Sequence, residues 1–129
     1  DAYFDKALLI DQENATALNN YAYYLAQREE RLAKAYSLSE KSNRLSPMNP
    51  VFLDTWAWVL FKQEKYAEAL LKMEKVMQLS KNHDAEVLSH YAEILEANDR
   101  PNEALEQYKL ALTKDPENLS LQQKIDALQ

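Results

Sequence analysis

The stretch Phe52–Val76, FLDTWAWVLFKQEKYAEALLKMEKV, decides the fold. Leu53, Trp56, Ala57 and Leu60 recur at i, i+3, i+4 and i+7, the spacing of one apolar helix stripe. Ala69, Met73, Val76 and Met77 repeat the pattern in the second half. Between them lies the short polar connection Lys62-Gln63-Glu64-Lys65-Tyr66. Two helices joined this closely pack antiparallel and bury their stripes against each other. Trp56 is therefore expected to pack in the core. A second stripe on the first helix holds Val51, Asp54, Trp58 and Phe61. Its mixture of apolar, acidic and aromatic groups reads as a surface, with Trp58 offered to a partner.

The rest of the chain imitates this hairpin. The second-helix alanines Ala35, Ala69 and Ala104 each stand twelve residues before Pro47, Lys81 and Pro116. Leu18, Tyr21, Ala22 and Leu25 match Leu53, Trp56, Ala57 and Leu60, and these match Leu88, Tyr91, Ala92 and Leu95. The repeat starts, Ala15, Pro50 and Ala85, are thirty-five residues apart. A fixed period of this length is the mark of a stacked helical array. The segment DAYFDKALLID, Asp1–Asp11, reads as a lone second helix, with Phe4, Ala7 and Ile10 on its apolar face. The chain is thus expected to begin inside a repeat of a longer protein. Leu121, Ile125 and Leu128 give the last segment one apolar face, as a terminal cap requires. Asp84 is expected to cap the third hairpin's first helix and Asp99 its second, with Pro101 in the first turn.

Composition agrees. The 129 residues contain no cysteine and no glycine. Disulfides and thiolate metal sites are excluded, and the usual residue of tight hairpin turns is missing. The formal net charge is −6. No basic stripe exists to follow a phosphate backbone, so nucleic acid is not an expected partner. No apolar run approaches the roughly 20 residues of a membrane-spanning helix, so membrane insertion is not expected either. The compartment stays open between bacterial cytoplasm and periplasm.

These residues resemble the tetratricopeptide repeat (TPR) family, in the style of bacterial multi-repeat proteins. Ala22, Ala57 and Ala92 stand at its small eighth position, Ala35, Ala69 and Ala104 at its second-helix alanine, and Pro47 and Pro116 at its terminal proline. Lys81 replaces the middle proline, Ser42 and Val76 replace an alanine, and Glu29/Glu30, Glu64 and Asp99 stand where the turn glycine is usual. The resemblance implies an all-α, right-handed α-α superhelix occupying residues 1–129 as a single domain. Its parts would be the second helix of a truncated repeat (1–14), repeats at 15–49, 50–84 and 85–118, and a capping helix at 119–129.

The resemblance also implies function. First helices of the family line a concave groove. Carried onto this chain, the groove residues are Asn19, Asn20, Tyr23, Asp54, Thr55, Trp58, Phe61, Ser89, His90 and Glu93. One subclass grips the C-terminal carboxylate of chaperones with Lys, Asn and Arg. Here Asn19, Tyr23, Thr55, Glu86 and His90 occupy those places. Acidic groups at Asp54, Glu86, Glu93 and Glu96 would repel an acidic tail. The expected partner is therefore a protein or peptide segment, neutral to basic, with an apolar anchor. The alternative is self-assembly into a homo-oligomer through the open N-terminal half-repeat, where Phe4 and Leu8 would need cover.

Catalysis is not expected. No Gly-rich phosphate loop is available, and no Ser/His/acid set gathers at one place. Glu86, His90 and Glu93 share a helix face, but a single histidine among surface acids reads as solvated rather than as a metal ligand. His83 stands in a turn without an evident partner. No cofactor or metal is expected.

Overall fold

Helical stripes joined by short polar turns give helices, and in the computed structural model they give little else. Residues 2–10 and 13–129 are described, the side chains of Leu9 and Ile10 excepted. Asp1, Asp11 and the packing expected of Ile10 lie outside the described residues. Among the described residues there are eight helices and no strand: α1 (Ala2–Ile10), α2 (Ala15–Gln27), α3 (Leu32–Leu45), α4 (Pro50–Lys62), α5 (Tyr66–Leu79), α6 (Ala85–Ala97), α7 (Pro101–Lys114) and α8 (Leu119–Leu128). The fold is an all-α helical repeat.

Packing divides the chain into two compact units, Asp1–Leu79 and Ser80–Gln129. In the first, α2 pairs with α3 and α4 with α5, while α4 also packs on α2 and α3 and α1 covers α2. In the second, α7 packs against α6 and α8. The repeated alanines explain the close approach. Ala22, Ala35, Ala57, Ala69, Ala92 and Ala104 are all fully buried, so helix backbones meet where larger side chains would hold them apart. Ser42 stands where alanine is usual and is equally buried. Its hydroxyl donates to the Ser39 carbonyl at 2.9 Å, which removes the penalty of burying it.

The helix ends follow two rules. Asn14, Asn49, Asp84 and Asn118 precede α2, α4, α6 and α8, and each side chain accepts from a backbone N–H of the first turn. The C-termini of α2, α4 and α6 close with paired backbone bonds of the Schellman type. In the first, Glu29 N–H donates to the Ala26 carbonyl and Glu30 N–H to that of Leu25, both at 3.0 Å. The same pairs recur at Glu64 and Lys65, and at Asp99 and Arg100. The motif needs a left-handed residue. Glu29, Glu64 and Asp99 supply it with φ of 53°, 64° and 59°.

This corrects one expectation. Asp99 does not cap α7: Arg100 is the N-cap, without a side-chain bond, and Pro101 opens the helix. Asp99 instead terminates α6. In so short a connection the C-cap geometry of one helix claims the residue that could have capped the next.

Candidate functional site

The first-helix residues of the first unit lie on α2 and α4. On α2, Asn19 is buried, Asn20 exposed and Tyr23 half-buried. Asn19 Nδ2 donates to Asn20 Oδ1 at 3.5 Å, while Asn19 Oδ1 is buried and has no hydrogen-bond partner. On α4, Asp54 and Thr55 are buried and Phe61 is half-buried.

Trp58 overturns the expectation of an exposed anchor. It is only 4% exposed and belongs to a core cluster with Tyr21, Ala22, Leu25, Ala35 and Val59. Its ring stacks on Phe61 with centroids 4.9 Å apart, and Lys62 Nζ lies over it at 4.8 Å. The indole N–H donates to Gln27 Oε1 at 2.7 Å. The reason is the number of neighbours. Because α4 packs on α2 as well as on α3 and α5, its second stripe is covered at Asp54 and Trp58, while Val51 stays exposed. Trp56, expected in the core, is only half-buried. It meets the Tyr36 ring edge-on at 6.2 Å, and Lys72 Nζ sits 4.0 Å from its centroid. Its Nε1 is buried with no hydrogen-bond partner.

In the second unit, α6 carries the remaining expected groove residues. Ser89 and Glu93 are half-buried, and Glu93 accepts from Lys124 Nζ at 3.3 Å. His90 is buried at 4% exposure rather than solvated. Its position four residues before Ile94, which is fully buried, turns it inward with the core of α6. His83 also finds a partner, Nε2–H donating to the Ser80 carbonyl at 2.7 Å. Tyr108 is fully buried and donates to Glu96 Oε1. Desolvation, then the hydrogen bond to Glu96 and the charges of Glu96 and Glu93, push its hydroxyl pKa far above the ordinary value of 10.0. Among the described residues, no group of three His, Asp or Glu side chains is placed to hold a metal ion. Among them, too, no helix is long and apolar enough to cross a membrane.

Sequence reasoning missed Gln27 as the partner of Trp58, and Glu96 as the partner of Tyr108. It also missed three of the four first-helix caps, although Asn14, Asn49 and Asn118 repeat at the period already found for the alanines.

Comparison with known proteins meets this geometry. A tetratricopeptide repeat family model matches residues 60–127, just over half of the chain. The chain belongs to the tetratricopeptide repeat family. Members of this family mediate protein–protein interactions and are typically scaffolds rather than catalysts. A TPR repeat-containing protein of Pseudomonas aeruginosa, PA4667, is 35% identical over 83 residues, which is 64% of this chain and 14% of that relative. The chain thus spans a small part of the length of the curated relative it matches. Among solved structures, the TPR protein YrrB, described as having an unusual peptide-binding site, is similar with a TM-score of 0.79 at 19% identity. The match covers 97% of this chain and 63% of YrrB. A thermophilic TPR protein of Thermus thermophilus, TTC0263, gives 0.75 at 19% identity, over 97% of this chain and 69% of its own. The first TPR of RPAP3, bound to the HSP90 peptide SRMEEVD, gives 0.78 at 19% identity, over 92% and 94%. At these identities the structural likenesses concern the fold.

Proposed function

We propose that this TPR segment holds an extended peptide of a partner protein against the faces of its first helices α2 and α4. The observation that carries the reading is the amide pair on α2. Asn19 Oδ1 is buried without a partner beside the exposed Asn20. The exposed Asn20 amide offers both a donor and an acceptor to a peptide backbone laid along α2. Half-buried Tyr23 and Phe61 supply apolar contact for one side chain of that peptide. Trp58 stiffens Phe61 from beneath instead of meeting the partner. The first TPR of RPAP3 is bound to the HSP90 peptide SRMEEVD, but the clamp positions on α2 and α4 here hold Asn19, Tyr23 and Thr55, none of them a cation. The favoured peptide is therefore neutral to basic.

The test is fluorescence anisotropy with labelled peptides that place one leucine between lysines, against acidic C-terminal peptides. Asn20→Ala and Tyr23→Ala should each weaken the basic peptide about tenfold. Tight, salt-sensitive binding of acidic C-terminal peptides that Asn20→Ala abolishes would overturn the reading. Self-assembly through α1 receives less support. Phe4 already stacks on Tyr21 at 5.0 Å with an 8° interplanar angle, and Leu8 packs on the same cluster.

A further inference from the structure

The first unit carries a second concavity that contains none of the expected groove residues. It lies between α3, the turn at Pro47-Met48, α4 and α5, with a volume of about 280 Å³. Its apolar lining includes Met48, Leu53, Trp56 and Leu71, and its charged lining is Lys72 and Lys75. No carboxylate lines it.

Three observations mark it as more than a gap in packing. First, Leu71 and Met48 are 68% and 59% exposed, which leaves two large apolar side chains in water at one rim. The repeat does not demand them. Aligned on Ala35, Ala69 and Ala104, the positions equivalent to Leu71 are Ser37 and Glu106; aligned on the helix caps, the residue in place of Met48 in the last repeat is Glu117. Second, Met48 adopts a φ of 64°, a left-handed conformation that favours glycine, in a residue that lines the cavity. Third, two polar atoms of lining residues are buried and unpartnered: Trp56 Nε1 and Asn43 Oδ1. Asn43 is pinned by its other end, Nδ2 donating to the Ser39 carbonyl at 2.8 Å and to the Phe52 carbonyl at 3.1 Å. An apolar floor and two lysines thus line one small volume, while Trp56 Nε1 and Asn43 Oδ1 are closed to solvent.

We propose that this second-helix cavity docks an acidic peptide segment of a partner protein, one apolar side chain seated against Trp56 and Leu71 and a flanking carboxylate held by Lys72 and Lys75. The volume suits one or two side chains and falls below that of a typical cofactor pocket of roughly 300–1,000 Å³. The charge of the lining selects the sign of the partner. Two peptides of opposite charge could then be held at separate places on one scaffold.

The test uses labelled synthetic peptides in which leucine, isoleucine or phenylalanine is flanked by glutamates, with anisotropy as the readout and circular dichroism as the control for folding. At least one should bind saturably and more weakly as salt rises, and lysine-flanked counterparts should not compete. Leu71→Ser, which installs the residue type of the first repeat, and the double variant Lys72→Gln/Lys75→Gln should each raise Kd about tenfold. Asn20→Ala, on the first-helix face, should leave acidic-peptide binding unchanged. The proposal is overturned if no glutamate-flanked peptide binds, if Leu71→Ser and the lysine variants bind as the parent does, or if Asn20→Ala removes the binding. It is equally overturned if light scattering shows a dimer that Leu71→Ser dissolves, because a second copy would then be the occupant.

Discussion

Trp58 and Trp56 stand two residues apart on one helix and have different surroundings. Trp58 has its ring stacked, its N–H bonded to Gln27 and almost all of its surface covered. Trp56 leaves part of its ring in water and its N–H unpaired. Trp58→Ala should therefore destabilise by about 3–5 kcal/mol, the usual range for removing a buried aromatic. Trp56→Ala should cost about half of that, since less of its surface is taken out of water on folding. Urea denaturation of the two variants checks the order; equal losses would contradict it. The core alanines were legible from spacing alone because a small residue at a fixed period has one reading. The choice between the two tryptophans was not. A stripe argument assumes a helix with one buried face, whereas α4 packs on α2, α3 and α5. When three neighbours cover a helix, residues of both stripes can be buried, and spacing along one helix does not say which.

At the level of the helix, the expected starts are met, and of the turn residues only the cap expected at Asp99 fails. The starts Ala15, Pro50 and Ala85 are the first residues of α2, α4 and α6. The caps behind them recur at Asn14, Asn49, Asp84 and Asn118. Asn49 serves two donors, Val51 N–H at 2.9 Å and Phe52 N–H at 3.3 Å. Asn49→Ala should destabilise by about 1 kcal/mol, while Asn49→Asp should retain most of the stability. Thermal melts of the pair distinguish cap loss from a general effect of the substitution. At the other end, Glu64 is left-handed at φ 64° so that Lys65 N–H can reach the Leu60 carbonyl at 2.9 Å. A non-glycine residue there costs roughly 1–2 kcal/mol. Glu64→Gly should recover part of it and stabilise by about 0.5–1 kcal/mol, net of the greater chain entropy of glycine when unfolded. Glu64→Val should lose stability. A melting point that falls for the glycine variant would contradict the turn assignment.

Over the whole molecule, charge is distributed unevenly, and this has a pH signature. Residues 85–129 carry nine Asp and Glu against four Lys and Arg, most of the chain's net −6. Within them Tyr108 is buried, donates to Glu96 and feels Glu93 as well. Burial favours the neutral phenol, and the neighbouring carboxylates add to that preference. Its folded pKa is therefore raised above the unfolded value of 10.0. The sign of the linkage follows. Below the unfolded value both states hold the proton and the contribution to stability is fully present. As pH rises past it, the unfolded chain releases the proton while the fold retains it, and stability is lost toward the folded value. The melting temperature of the protein should thus fall more steeply above about pH 10 than that of Tyr108→Phe, whose ring cannot ionise. At neutral pH the variant should be less stable by about 1 kcal/mol, the net worth of one hydrogen bond. The two curves should converge as pH rises, because the other tyrosines titrate alike in both proteins. Parallel curves would show that the Tyr108 hydroxyl ionises in the fold as freely as it does in water, and that the pairing with Glu96 does not hold the proton in place.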